Sequence, residues 1–175
     1  MFRFVLVVAA FLTSLSAFGQ DYRGGSEEDY REIKAFHDRS VARNNAGDVS
    51  GAVNDYLPRL RVLNTKSTAI KGRDALEASW SAGERSEKRG VLISEIQEME
   101  VNGNRIGDWA YMICRYAYVA VDRATGAVTS EYEDGRYLAL LEKTQDGWKV
   151  LLDIDNGAAG AAPDLIHRLR DQSEQ

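Results

Sequence analysis

Apolar residues change their spacing several times along the chain, and each change marks an element. Phe4 to Leu12 is an unbroken apolar run behind the short basic start Met1-Phe2-Arg3, closed by Thr13, Ser14 and the small residues Ala17 and Gly19. That layout predicts a secretory leader over residues 1–19, cleaved near Gly19/Gln20, and the run is well short of the ~20 apolar residues of a membrane span. Residues 20–27 form a polar, Gly-containing lead-in. From Ser26 the period becomes helical: Ser26 is a good N-cap, Glu27, Glu28 and Asp29 fill the first turn, and Ile33, Phe36, His37, Ser40, Val41 and Asn44 recur on one stripe until Gly47. Asp48 caps a short second helix carrying Val49, Ala52, Val53 and Tyr56, which Pro58 is expected to end. Leu60 to Asn64 reads as a short strand, and Gly72-Arg73-Asp74 leads into a third helix with Leu76, Ala78 and Trp80.

Beyond Gly90 the period shortens to that of strands. Four runs, Val91 to Val101, Trp109 to Asp122, Thr129 to Glu142 and Trp148 to Ile154, are joined by Asn102-Gly103-Asn104, Ala124-Thr125-Gly126 and Gln145-Asp146-Gly147, all hairpin-grade turns. Helices followed by a strand meander predict an α+β domain in which about three N-terminal helices cover a bent antiparallel sheet. The tail, residues 157–175, opens on Gly157-Ala158-Ala159-Gly160-Ala161-Ala162-Pro163 and reads as flexible. Asp164 to Arg170 is expected to make a turn or two of helix with Leu165, Ile166 and Leu169 on one side, a loosely docked terminal helix or, alternatively, a small partner-binding one.

Composition narrows the function. The 175 residues carry 22 Lys+Arg against 27 Asp+Glu, and losing Arg3 with the leader takes the formal charge from −5 to −6, which argues against a nucleic-acid binder. One cysteine, Cys114, makes no internal disulfide. With only His37 and His167 beside it, no Cys/His metal cage is expected, and no cofactor motif occurs. Asp153 and Asp155 sit two apart on one strand face with no third ligand in view, so no metal site is expected there either. Glu131, Glu133 and Asp134 read as a solvated strand edge, and Cys114 as an inert buried residue.

The order of Gly47-Asp48, Tyr56, Ile70-Lys71-Gly72-Arg73, Trp80, Gly135-Arg136-Tyr137, Gly147-Trp148-Lys149-Val150 and Asp153-Ile154-Asp155-Asn156 resembles the nuclear transport factor 2-like superfamily. Within it, the SnoaL-like and ketosteroid isomerase-like domains, including those without assigned function, are the most similar. The resemblance covers residues 28–156 and implies a cystatin-like α+β roll, a cone whose curved sheet and helices enclose an apolar pocket. Members use that pocket for catalysis, ligand binding or protein pairing. Carried over position by position, the isomerases' general base falls on Asn64, which takes no proton. Their phenolic oxyanion donor falls on Ser40, and their protonated acid near Tyr137 or Ala139. Tyr56 persists, and Trp80 takes the other supporting position. Ketosteroid isomerase chemistry needs the carboxylate base and is therefore disfavoured.

Strand parity nominates Ala110, Met112, Cys114, Tyr116 and Tyr118 as the inward groups of one strand, and the register of the resembled isomerases implies Gly135, Tyr137, Ala139 and Leu141 on the next and Leu151, Asp153 and Asp155 on the last. Three functional readings follow. The first is an exported small-molecule pocket lined by Ser40, Tyr56, Asn64, Trp80, Met112, Cys114, Tyr116, Tyr137 and Leu151. The second is an isomerase or lyase in which His37 and Asp153 meet and exchange a proton; against it stands a hydrogen-bonded core histidine. The third is a homodimer through the outer sheet face, at Ile113, Val119, Leu138 and Leu140.

Overall fold

The computed structural model describes residues 21–65, 68–84, 87–104, 107–157 and 160–173; the leader expected over 1–19 lies outside them. In chain order the elements are β1 (Asp21–Gly24), α1 (Glu27–Ala46), α2 (Val49–Val53), β2 (Tyr56–Leu63), β3 (Ile70–Lys71), α3 (Arg73–Glu84), β4 (Lys88–Asn104), β5 (Gly107–Asp122), β6 (Val128–Thr144), β7 (Gly147–Gly157) and α4 (Pro163–Ser173). The fold is α+β, with helices against a curved, unclosed sheet of order β1-β4-β5-β6-β7-β2-β3.

The local signals act as their chemistry requires. Ser26 and Asp29 form a reciprocal capping box, Gly47 ends α1 at φ 69°, and the Asp48 carboxylate accepts from Gly51 N at 2.9 Å. In the β5–β6 turn, Asp122 Oδ1 accepts from the backbone N–H groups of Ala124 and Thr125 at 3.0 and 2.8 Å.

Several expectations need correcting. The sheet is mixed rather than antiparallel, because β1 runs parallel to β4 and β2 parallel to β7. The polar lead-in thus supplies an edge strand, its backbone groups paired to Glu98 through Val101. The second helix stops at Val53, and Tyr56 opens β2. Pro58 lies inside that strand, in the stretch where its pairing with β7 shifts register, as a residue without an N–H demands. The tail is a three-turn helix packed on the convex face of the sheet: Leu165 and Leu169 join Ala117, Val119 and Val121 in a second core. Asp134, expected on a solvated edge, is buried and accepts from Gly160 N and Ala162 N at 3.0 and 2.7 Å, fastening the segment that leads into α4.

Register shifts interrupt the long strands at Ile96/Glu98, Val119/Val121 and Leu140/Leu141. Bulges of this kind bend a strand and increase its twist. Two anchors set α1 across the resulting hollow. At its start, Lys143 Nζ reaches Asp29 at 2.9 Å and Glu32 at 3.1 Å, and Trp148 Nε1 donates to Glu32 at 3.2 Å. At its end, the Asn45 amide donates to Leu92 O at 2.9 Å and accepts from Leu92 N at 2.7 Å, standing in for a strand partner of β4. Ile33 and Phe36 fill the space between helix and sheet with Met99, Met112 and Leu141, which forms the main core.

Candidate functional site

The main core does not close completely. Beside it, between α1, α3 and the concave face of the sheet, lies an open cavity of about 480 Å³. Its α1 wall is the C-terminal half of the apolar stripe, Phe36, His37, Ser40, Val41 and Asn44, residues three or four apart that share one helix face. Tyr56 and Val62 of β2, Asn64 just beyond it, and Trp80 of α3 form a second side, where the Tyr56 and Trp80 rings meet edge to face at 5.6 Å. The sheet contributes Leu92, Met112, Tyr116, Tyr118, Tyr137, Ala139 and Val150, and the polar end carries Glu133, Asp153 and Asp155.

Of the residues nominated from sequence, two stand elsewhere. Cys114 is fully buried behind the cavity wall, paired across the sheet with Tyr137; burial pushes its thiol up to about 12, which makes it inert. Leu151 is the extra residue in the β7 bulge: Leu141 faces Val150 and Leu140 faces Leu152, so Val150 takes the inward place that the register of the resembled family implied for Leu151.

His37 and Asp153 share the cavity but not a hydrogen bond. His37 Nε2 lies 3.0 Å from Ser94 Oγ and its Nδ1 3.4 Å from Asp38 Oδ1, while Ser94 Oγ continues to Tyr137 OH at 3.2 Å. Burial lowers the His37 pKa, outweighing the pull of Asp38, so the ring is neutral at pH 7. This is the hydrogen-bonded core histidine, not half of a His–Asp pair. Its role is to hold Ser94 and, through it, the Tyr137 hydroxyl.

Asp153 is served by a different group. Tyr56 OH donates to Asp153 Oδ2 at 3.1 Å, yet burial dominates and the carboxyl is pushed up to about 6, with Asp155 adding to the rise. Burial also raises Tyr56 and Tyr137 well above the ordinary phenol value, so both remain donors at any working pH. Tyr116 OH donates to Asp155 Oδ1 at 2.9 Å and also lies 3.2 Å from Glu133 Oε1. Burial and these two carboxylates raise its pKa as well.

Two glycines make this possible. A Cβ on Gly135 would stand 2.8 Å from Asn156 O and 2.9 Å from the Tyr116 ring; without one, that ring lies across β6 and its hydroxyl reaches β7. Gly90 does the same for Tyr118, whose ring would stand within 1.9 Å of a Cβ there. Sequence reasoning passed over Ser94 and read Glu133 as a solvated strand edge, whereas Glu133 lines the cavity. Ser94 shares its strand face with Leu92 and Ile96, so alternation along β4 was the signal for it. The described residues contain no group of three or more His, Cys, Asp or Glu arranged to hold a metal ion, and no helix long and apolar enough to cross a membrane.

No family model matches the sequence, and neither does any curated protein. Solved structures do match in shape. A ketosteroid isomerase-like protein from Erwinia carotovora atroseptica superposes with TM-score 0.62 at 21% identity, over 77% of this chain and 99% of that one. Aln2 from a Streptomyces species gives TM-score 0.63 at 20% identity, over 83% and 99%. A nuclear transport factor 2-like protein of unknown function from Shewanella oneidensis gives TM-score 0.59 at 19% identity, over 72% and 97%. At such identities the likeness carries the fold and not a reaction. The chain therefore has the nuclear transport factor 2-like, cystatin-like α+β fold of the ketosteroid isomerase-like proteins.

Proposed function

We propose that this protein binds a small, largely apolar molecule in the concave-face cavity. The observation that carries the reading is a ligand-sized, open cavity with aromatic and aliphatic walls and polar groups gathered at one end, the usual anatomy of a small-molecule site. The layout of residues 1–19 supports export, with the binding domain working outside the cytoplasm; N-terminal sequencing of protein recovered from the exported fraction should begin at Gln20.

Thermal-shift screening against a metabolite library tests the binding reading, since a ligand of the folded state alone raises its apparent stability. Hits should vanish in Ser40→Trp, which fills the mouth from α1 without touching the main core. A library with no hits, or hits that survive Ser40→Trp, defeats the reading.

Asp153 favours a second reading, proton transfer of the isomerase or lyase kind. A cavity carboxyl pushed up to about 6 is poised to exchange a proton near neutral pH, with Tyr137 to stabilise a developing oxyanion. Turnover of any hit that is lost in Asp153→Asn would support it. Pairing of two copies through Ile113, Leu138 and Leu140 is also supported, because these half-buried residues are continuous with the exposed Leu63 and Ile154. Val119 drops out of that surface, since α4 covers it. Light scattering should report a dimer that Leu138→Glu dissolves.

A further inference from the structure

The convex face is laid out in rows that run across the sheet. Strand register sets Glu98, Ile113, Leu138, Ile154 and Leu63 side by side on β4, β5, β6, β7 and β2, and the next row is Glu100, Tyr111, Leu140, Leu152 and Arg61. β6 is the middle strand of the seven, so both rows are centred on a leucine. On either side of Leu140 the second row has an apolar or aromatic neighbour, then an acid at one end and a base at the other. Asn102 Nδ2 and Tyr111 OH donate to the Glu100 carboxylate at 2.9 and 3.1 Å and fix its position, and Arg61 stands exposed beside Lys71 of β3.

Such rows complement themselves under one symmetry operation. A two-fold axis along β6, in the plane between two convex faces, lays β4 of one copy over β2 of the other. Leu138 and Leu140 then meet their own counterparts, Ile113 meets Ile154, Tyr111 meets Leu152 and Glu100 meets Arg61, each unlike contact occurring twice. Turning the partner end for end sets β4 over β4 instead and brings the acidic edges, Glu98 and Glu100, together. Like charges set against each other cost more than a rim ion pair gains, so the layout acts chiefly by excluding that second arrangement. Convex faces part toward their edges: apolar contact falls on β5, β6 and β7, and the long side chains of Arg61 and Glu100 span the widening gap. α4 lies clear of both rows, since it covers β5 from Ala117 onward, whereas β7, the strand a partner lays over β5, ends at Gly157, one row earlier.

We propose that two copies of this chain pair across their convex faces about a two-fold axis along β6, with Glu100 of each copy against Arg61 of the other. This rests on the pairing reading above and adds which arrangement the surface selects.

Charge exchange read by sedimentation equilibrium of the full-length protein tests it. Arg61→Glu and Glu100→Arg should each raise the dimer dissociation constant at least about tenfold, because each reversed charge repels at two places. An equal mixture of the two variants should regain the wild-type affinity to within about threefold as a mixed dimer, and so should the double variant on one chain. A single variant that pairs as tightly as wild type, or a double variant that pairs no better than the singles, overturns the arrangement; the pairing reading stands if Leu138→Glu still dissolves the dimer. A wild-type chain that stays monomeric at millimolar concentration defeats both. Should Glu100→Arg not fold, a short bismaleimide applied to mixed Arg61→Cys and Glu100→Cys chains takes its place, the native Cys114 being buried. Cross-links between the two variants support the arrangement, and cross-links that are absent or confined to each variant overturn it.

Discussion

The concave and convex faces of the β4–β5–β6 sheet are built from the same alternating strands and meet different partners. On the convex face, Ala117, Val119 and Val121 are covered by Leu165 and Leu169 of α4, and the buried carboxylate there, Asp134, gives both oxygens to backbone N–H groups. On the concave face, α1 is held at its two ends and leaves its middle turns over a cavity. The half-buried carboxylate there, Asp153, accepts from one phenol and lines the cavity. Two aspartates on neighbouring strands thus differ in what surrounds them. The first is consumed in holding a chain segment, whereas the second keeps capacity for a ligand or a proton. A site arises where packing stops short, and burial alone does not mark it.

Removing the convex seal should give the largest effect. Leu165→Ala deletes a fully buried side chain and is expected to cost about 2–5 kcal/mol in urea unfolding, with cavity binding unchanged in the protein that remains folded. An equal loss of ligand affinity would break the separation of the two faces.

Asp153→Asn should act in the opposite direction. The carboxyl rises from its ordinary value to about 6, so the fold favours the protonated form; its penalty is absent below pH 3.8, grows up to about pH 6 and is constant above. Asparagine carries no such penalty and can still accept from Tyr56. The variant is expected to be more stable above pH 6.5, by up to about 3 kcal/mol, and to lose the fall in stability between pH 4 and 6. Thermal melts across that range measure it, and a variant less stable at pH 7.5 would contradict the assignment.

Asp134→Ala is the convex counterpart and should destabilise, by about 1–3 kcal/mol, since Gly160 N and Ala162 N lose their acceptors. Limited proteolysis should then cut just before α4. Smallest of all, Tyr56→Phe removes the one phenol donor to Asp153 and costs about 0.5–1.5 kcal/mol. Because that donor lowers the Asp153 pKa, carboxyl titration by NMR should show it moving higher still.

Much of the concave site was legible in the sequence, for reasons of periodicity. The stripe from Ile33 to Asn44 gives the α1 wall because a helix returns to one face every three to four residues. Alternation on β5 puts Met112, Tyr116 and Tyr118 on the side that lines the cavity. The register carried over from the resembled isomerases misses at Leu151, where one bulged residue hands the inward place to Val150. For Cys114 alternation gives the face, but the residue is fully buried and does not line the cavity. Helix periodicity brings His37 to the cavity but sets no distance to Asp153, and Ser94, on a strand 57 residues away from His37 in the chain, takes the imidazole.

The sequence by itself determined the elements, their caps and turns, and which faces are apolar, because capping, turn geometry and side-chain alternation act over a few residues. It also determined that no more than a few groups were available for chemistry, with one cysteine and two histidines in the whole chain. Only the tertiary structure decided that the terminal helix seats on the convex face of the sheet and that one strand aspartate is spent on backbone while its neighbour opens on a cavity. It alone also decided that three carboxylates, from two strands, line one cavity. Those outcomes depend on contacts between residues far apart in the chain, and bulges that shift a strand by one position decide them.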